Sequence, residues 1–196
     1  MKLCVFQGTF NPIHNAHLRV AEYALENFGF DKILFIPAAR PPHKDFSVEM
    51  EYHRLNLVKI ATEYNPRFEV SDIEYQREGK SYSYTTIKEL YSLYDIDGKI
   101  NFIIGTDAFE KIESWYESDK LKNIVDFIVF IRENNFDLKK FNYLKEKGYN
   151  FVFAKLDFCD ISSTILRESI RTHQDTKDYI NEKEREYIDK YELYKS

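Results

Sequence analysis

Apolar residues follow two alternating patterns along the chain, short continuous runs and helical spacings. The first run lies at residues 2–6, and residues 18–28 carry apolar side chains at helical intervals. A short continuous run is typical of a strand buried on both faces, and the spaced pattern is typical of an amphipathic helix. The start of the chain is therefore predicted to be a strand, a turn and a helix.

The alternation continues along the whole sequence, with no repeats or linkers. It predicts an α/β protein, a single domain over 1–196 in which a doubly wound parallel sheet has right-handed crossovers. We also expect that residues 73–75 continue the third strand, that Ser83 or Thr85 caps the next helix, and that residues 182–186 form a solvated helix face. Further strands are predicted at 31–37, 68–71, 99–104, 126–131 and 150–154, and further helices at 48–63, 86–94, 136–148, 162–172 and 179–193.

Composition narrows the class of protein. Of the 196 residues, 43% are hydrophobic and 16% aromatic, which is typical of a globular protein with a packed core. The net charge of −5 argues against nucleic-acid or anionic-membrane binding as the main role. No apolar run approaches the roughly 20 residues of a membrane span. Cys4 and Cys159 lack metal-type spacing and are expected to be free thiols in a reducing cytoplasm.

The turn between the first strand and the first helix carries the most informative residues. Gly8 permits a tight turn and the close approach of a ligand, and the following helix N-terminus offers N–H groups and a positive dipole end. His14 and His17 stand beside this predicted anion site. They are open to three interpretations: metal ligands, a structural pair, or donors of hydrogen bonds to phosphate oxygens.

Two further segments are predicted to reach the same edge of the sheet, because ligands bind at the carboxyl ends of parallel strands. One follows the strand at 99–104, and the other is a hydroxyl-rich helix N-terminus that follows the last strand. The proline loop, residues 38–47 with prolines at 41 and 42, is open to two interpretations: an ordinary solvated loop, or a stiff arm that brings a lysine over an anionic ligand. The residues concerned are Gly105, Asp107 and Trp115, then Ser162, Ser163, Thr164 and Arg167, and finally Lys44.

The absence of other motifs favours phosphate chemistry without a general base. The sequence contains neither Gly-Lys-Ser/Thr of a P-loop nor Gly-x-Gly-x-x-Gly of a dinucleotide fingerprint, and no acid–base dyad stands out. An attacking phosphate monoester has a second pKa of about 6 and is already an anion at neutral pH. Phosphoryl and nucleotidyl transfer then needs alignment and charge neutralisation more than proton transfer.

Residues 8–17, Gly-Thr-Phe-Asn-Pro-Ile-His-Asn-Ala-His, resemble the HxGH signature of the nucleotidyltransferase superfamily. Residues 161–167, Ile-Ser-Ser-Thr-Ile-Leu-Arg, match its ISSTxxR signature. Residues 36–44, 77–83 and 102–115 are similar to bacterial nicotinate-nucleotide adenylyltransferases, and the likeness covers essentially the whole chain. It implies a Rossmann-like nucleotidyltransferase fold with C-terminal helices. The implied reaction is adenylyl transfer from ATP to nicotinate mononucleotide, giving deamido-NAD and pyrophosphate, in cytoplasmic NAD biosynthesis.

The resemblance also implies a role for each matching residue. His14, His17 and Arg167 act on the reacting phosphates, and Ser83 and Trp115 hold the nicotinate nucleotide. Mg²⁺ rides on the ATP phosphates, with no protein ligands of its own. The implied partners are ATP and nicotinate mononucleotide, without nucleic acid or membrane, and a homo-oligomer stays open. The implied ATP-binding residues are Gly8, Thr9, Phe10, Lys44, Gly105, Asp107, Ser162, Ser163 and Thr164.

The sequence departs from the family pattern at four positions. Gln7 and Ala16 replace glycines, Asn11 replaces the aspartate usual in bacterial members, and Ser83 replaces threonine. These changes bear on substrate positioning and leave the reaction class unchanged. Nicotinamide mononucleotide, pantetheine phosphate and a cytidylyl acceptor are alternative substrates, and a non-catalytic nucleotide-binding module is an alternative of another class.

Overall fold

A sheet of six parallel strands forms the centre of the protein, in the order β3-β2-β1-β4-β5-β6. The computed structural model describes residues 1–44, 46–131, 136–156 and 161–195. This strand order is that of a doubly wound sheet, so the predicted α/β fold is confirmed. The strands are β1 (Leu3–Gly8), β2 (Lys32–Pro37), β3 (Phe68–Val70), β4 (Ile100–Gly105), β5 (Val125–Ile131) and β6 (Phe151–Lys155).

Helices cover both faces of this sheet, which explains the continuous apolar runs. Along β1, Cys4 and Phe6 belong to one buried cluster, and Leu3 and Val5 belong to the other. Successive side chains of a strand point to opposite faces, so both sets must be apolar. The helices are α1 (Asn15–Phe28), α2 (Val48–Thr62), α3 (Ser83–Leu93), α4 (Thr106–Phe109), α5 (Ser118–Ile124), α6 (Asn142–Glu146), α7 (Ser163–Arg171) and α8 (Glu182–Lys190).

Several predicted elements differ from the structure in type or length. Residues 73–75 form a turn, closed by a 2.8 Å hydrogen bond from the Tyr75 N–H to the Asp72 carbonyl, so the predicted strand extension is wrong. The helix predicted at 136–148 is a 3-10 segment, Leu138–Phe141, followed by the short α6. The helix predicted at 179–193 is the shorter α8.

The C-terminal part of the chain contains a buried carboxyl group where a solvated face was predicted. Glu184 in α8 is 1% exposed. Its backbone N–H and side chain form a capping box with Asn181, and burial raises the pKa of Glu184 to about 8. The prediction is therefore wrong for Glu184, because charge-rich spacing does not reveal which side of a short helix packs on α2.

Cys4 is a buried free thiol whose pKa is raised by burial, and Cys159 lies outside the described residues. In the described part of the chain, no helix has the length and apolar character needed to cross a membrane.

Candidate active site

The turn after β1 is shaped by the ring of Phe10. A Cβ atom on Gly8 would lie 3.1 Å from this ring, closer than side chains normally approach. The ring is buried and packs edge-on against Phe6, with centroids 5.4 Å apart. A side chain at Gly8 would therefore require the Phe10 ring to shift by a few tenths of an ångström, and it is Phe10 that has the positive φ, 45°. The ring of Phe10 belongs to the core, which leaves its backbone for a ligand.

His14 and His17 lie against each other at the start of α1. Their ring centroids are 3.8 Å apart, and the buried His14 is the N-cap residue of the helix. Nδ1 of His17 accepts a hydrogen bond from the His14 backbone N–H at 3.2 Å. A ring nitrogen that accepts carries no proton, so the proton of the neutral ring is on Nε2. His17 is therefore arranged to donate from Nε2.

The second signature packs directly on the first. Ser162 is the N-cap residue of α7, with its Oγ accepting from the Ile165 N–H at 3.2 Å. Ser163 Oγ donates to the Pro12 carbonyl at 2.8 Å. Arg167 Nη1 donates to the Asn11 carbonyl at 2.7 Å. The N-terminal ends of α1 and α7, both favourable for anions, thus meet at this turn.

Two tyrosines near the C-terminus also hydrogen-bond to this turn and to the start of α1. The Tyr194 hydroxyl donates to Oδ1 of Asn11 at 2.9 Å. Burial raises the pKa of Tyr194, which keeps the hydroxyl protonated and able to donate. The Asn15 N–H donates to the Tyr179 carbonyl at 2.7 Å. The turn near the start of the chain is therefore held by residues from the C-terminal part of the chain.

Ser83 and Trp115 belong to two segments that meet on the face of the sheet opposite α1. The rings of their neighbours Tyr82 and Tyr116 lie 4.5 Å apart. Tyr82 is the N-cap residue of α3 and makes no side-chain capping hydrogen bond, so the predicted cap at Ser83 or Thr85 is wrong. The half-buried indole of Trp115 packs edge-on against Phe102 of β4 at 6.1 Å.

A cavity of about 350 Å³ lies beside the proline loop and is lined in part by Lys44, which the sequence analysis assigned to ATP binding. Three of its side chains are cationic and one is acidic, so the cavity favours an anion. At the end of β4, Gly105 is the N-cap residue of the short α4, and Asp107 is exposed in its first turn. The residues that line the cavity are Arg40, Lys44, Phe46, Val48, Glu51, Gly79 and Lys80.

Two buried charged residues near the site were missed by sequence reasoning. Arg54 of α2 is 0% exposed, and Glu74 in the turn after β3 is 2% exposed. Each lies next to hydrophobic residues in sequence: Leu55 follows the first, and Ile73 and Tyr75 flank the second. A single charge inside an apolar pattern is the signal that could have revealed them, because such a charge is seldom buried without partners.

Comparison with known proteins identifies the family. The family described as cytidylyltransferase-like matches residues 5–169, a span that includes both signatures. The chain belongs to the cytidylyltransferase-like family. The nicotinate-nucleotide adenylyltransferase of Bacillus subtilis (strain 168) is 35% identical to it over 196 residues, 100% of this chain and 99% of that protein. The resemblance drawn from the signatures is confirmed.

Solved structures of this class share the fold. The Plasmodium falciparum nicotinic acid mononucleotide adenylyltransferase complexed with NaAD has a TM-score of 0.80 at 23% identity, covering 98% of this chain and 97% of that chain. Its complex with APC has a TM-score of 0.77 at 24% identity, with coverage of 98% and 96%. The predicted Rossmann-like nucleotidyltransferase fold is confirmed.

Proposed function

We propose that this protein transfers the adenylyl group of ATP to nicotinate mononucleotide, forming deamido-NAD and pyrophosphate in NAD biosynthesis. The observation that carries the proposal is the contact of Ser163 and Arg167 with the turn that holds His14 and His17. This contact joins two phosphate-binding signatures in one site. The full-length similarity to a nicotinate-nucleotide adenylyltransferase narrows the acceptor.

The reaction is an in-line displacement at the α-phosphorus of ATP. An oxygen of the acceptor 5′-phosphate forms the new P–O bond, and the bond from the α-phosphorus to the bridging oxygen of pyrophosphate breaks. The acceptor phosphate is an anion at neutral pH, so no general base is needed. The protein supplies alignment and donors for the charge that develops in the transition state.

The ATP side of the site is assigned to the turn after β1 and the N-terminus of α7. His17 donates from Nε2 to the α-phosphate, with His14 beside it, and Arg167 stabilises the departing phosphates. Backbone groups of the turn and of the end of β4 line the nucleotide, and Lys44 of the proline loop neutralises a phosphate. The proposed ATP-binding residues are Gly8, Thr9, Phe10, Lys44, Gly105, Asp107, Ser162, Ser163 and Thr164.

The acceptor side is assigned to Ser83 and Trp115. The indole offers a flat face for the pyridine ring. The first turn of α3, which has no side-chain cap, offers backbone N–H groups and a positive dipole end. These groups suit the carboxylate of nicotinate better than the neutral amide of nicotinamide.

Mg²⁺ enters this proposal as part of the ATP substrate. The side chains assigned to the phosphates are imidazole, hydroxyl and guanidinium groups, which donate hydrogen bonds to phosphate oxygens. Mg²⁺ prefers oxygen ligands, and the triphosphate and water supply these. A single nucleotidyltransferase domain over 1–196 and a cytoplasmic location stay predictions, and the oligomeric state stays open.

An acceptor-competition assay tests the function. Purified protein is incubated with Mg²⁺, ATP and equal amounts of nicotinate mononucleotide, nicotinamide mononucleotide and pantetheine phosphate, and the products are separated by mass. We expect deamido-NAD to be the dominant product, with one pyrophosphate released per product. A parallel incubation with CTP in place of ATP should release little pyrophosphate. Tight ATP binding without turnover would favour a nucleotide-binding module, and another dominant product would overturn the assigned acceptor.

A further inference from the structure

The peptide segment of Ala38 and Ala39, directly after β2, is held by two buried charged side chains. Arg54 donates to the Ala38 carbonyl at 2.7 Å and to the Ala39 carbonyl at 2.9 Å. Glu74 Oε2 accepts from the Ala39 N–H at 3.2 Å. In this short segment, both carbonyls therefore bond the guanidinium of Arg54, and the Ala39 N–H bonds the carboxylate of Glu74.

The same two side chains also hold the elements on either side of the segment. Arg54 Nη1 donates to the Thr9 carbonyl in the turn after β1, at 2.7 Å. Glu74 Oε1 accepts from Gln7 Nε2 of β1 and from Thr86 Oγ1 of α3, both at 2.5 Å. Arg54 and Glu74 therefore connect the nucleotide turn, the 38–39 segment and the start of α3.

The 38–39 segment leads directly to the proposed acceptor side. The next residue, Arg40, exchanges two hydrogen bonds with Ser81: the Arg40 N–H donates to Ser81 Oγ at 2.9 Å, and the Arg40 carbonyl accepts from the Ser81 N–H at 2.8 Å. Ser81 lies two residues before Ser83, at the entrance to α3. A shift of the 38–39 segment would therefore move the acceptor side relative to the nucleotide turn.

Stability alone gives little reason for these buried charges. Burial lowers the pKa of Arg54, because the charged form loses solvation, while nearby Tyr75, Tyr194, Glu51 and Glu74 act in the opposite direction. The guanidinium bonds carbonyls and stacks over Phe46, with Cζ 4.4 Å from the ring centroid. Well-packed apolar residues often stabilise such positions as well as buried charges do. What the two charged side chains contribute is a fixed geometry of the 38–39 segment and of the elements on either side of it.

We propose that Arg54 and Glu74 are positioning residues that set the distance between the nucleotide turn and the acceptor side through the 38–39 segment. The inference rests on the proposed function, because it takes ATP to bind on one side and the acceptor nucleotide on the other. In-line transfer depends on the alignment of the two phosphates, and a misplacement of 1 Å can cost about 100-fold in rate. Neither residue touches the reacting atoms in this proposal.

Two substitutions test the proposal with little change in volume. Glu74→Gln places an NH₂ group where either the Ala39 N–H or the donors Gln7 and Thr86 require an acceptor. Arg54→Lys keeps the charge and loses the planar fork that reaches three carbonyls. We expect kcat to fall by about 10- to 100-fold in each variant. The Kd of each substrate, measured singly by calorimetry, should change by less than about 3-fold, because each half-site stays intact.

A matched control and a readout without substrate complete the test. Glu69→Gln changes a carboxylate on β3 that bonds Lys32 and Tyr94, away from the 38–39 segment, and should leave kcat unchanged. Hydrogen exchange in the substrate-free protein should show the Ala39 amide at least about 10-fold less protected in Glu74→Gln, with β5 amides unchanged.

The outcomes separate the inference from the proposed function. Unchanged protection of the Ala39 amide, or a folded Glu74→Gln variant with the wild-type kcat, would overturn the positioning role. A lower melting temperature with the wild-type kcat per folded molecule would identify a merely structural role and would also overturn it. A wild-type protein that forms no deamido-NAD contradicts the proposed function, whereas the exchange measurement still shows whether Glu74 holds the 38–39 segment.

Discussion

Arg167 and Asn11 lie 156 positions apart in sequence and are joined by a 2.7 Å hydrogen bond from the guanidinium to the backbone carbonyl. The other terminal nitrogen of Arg167 donates to Thr164 Oγ1 at 3.3 Å. A guanidinium has five N–H donors, so these two contacts orient the group and leave further donors for a phosphate. The bond therefore joins α7 directly to the turn after β1.

Replacement of Arg167 by lysine should lower kcat by about 10- to 100-fold, because an ammonium group cannot bond the Asn11 carbonyl and a phosphate with the same fork. Steady-state kinetics with ATP and nicotinate mononucleotide measures this change. Arg171→Lys is the matched control: Arg171 is exposed one turn further along α7 and pairs with Glu168. Equal effects of the two substitutions would contradict the role of Arg167.

Replacement of His17 by alanine should lower kcat by about 100-fold and change the KM of the acceptor by less than about 3-fold. The reason is that a preorganised donor acts mainly on the charge of the transition state. The exposed His173, just after α7, has φ of 56°, so His173→Asn is a control that suits this backbone and should leave kcat unchanged. An unchanged kcat in His17→Ala would refute the assigned role.

Replacement of Trp115 by alanine should chiefly raise the KM of the pyridine nucleotide, by about 10-fold, since stacking on an aromatic ring is worth roughly 1–3 kcal/mol. Trp115→Phe keeps a flat face and should recover most of the affinity. Tyr143→Ala removes an aromatic ring that is 41% exposed and serves as the control. If the KM of ATP rises instead, the indole belongs to the other half of the site.

Glu184 should make stability depend on pH. Its folded-state pKa of about 8 lies above its ordinary value of 4.5, so the native state holds a proton that the unfolded chain has released between these limits. This contribution is complete below about pH 4.5 and is lost as pH rises through about 8. Between pH 5 and 8 the free energy of unfolding should fall by at most about 1.4 kcal/mol per pH unit from this group.

Urea unfolding of wild type and Glu184→Gln at several pH values between 5 and 8 measures that contribution. The variant keeps an oxygen for the Asn181 N–H and carries no charge, so the difference between the two proteins should grow in favour of the variant as pH rises. Glu182→Gln, exposed on the same helix, should follow the wild type. Parallel curves for wild type and Glu184→Gln would contradict the raised pKa.

The six strands, their parallel arrangement and both phosphate signatures were predictable from the sequence. Runs such as residues 99–104 must be buried on both faces, and that condition is local to the run. The contact between Ser163 and the turn after β1 follows from the same logic, because parallel strands end at one edge of the sheet. Short-range pattern and general topology suffice for these features.

The cap of α3, the turn at 73–75 and the buried Glu184 were predicted wrongly, and Arg54 and Glu74 were missed. In each case the residue type alone favours solvent, a strand or a cap, and the outcome depends on partners that are distant in sequence. Glu74 is satisfied by Gln7 and Thr86, and Arg54 by carbonyls of two separate loops.

The sequence by itself determined the fold class, the family and the two signature segments to which the proposed phosphate chemistry is assigned, because these depend on local pattern. Only the tertiary structure decided which charges are buried and which donors face the site. A buried charge is tolerated where its hydrogen-bond partners converge on it, and convergence from several elements of the chain is a property of the folded state.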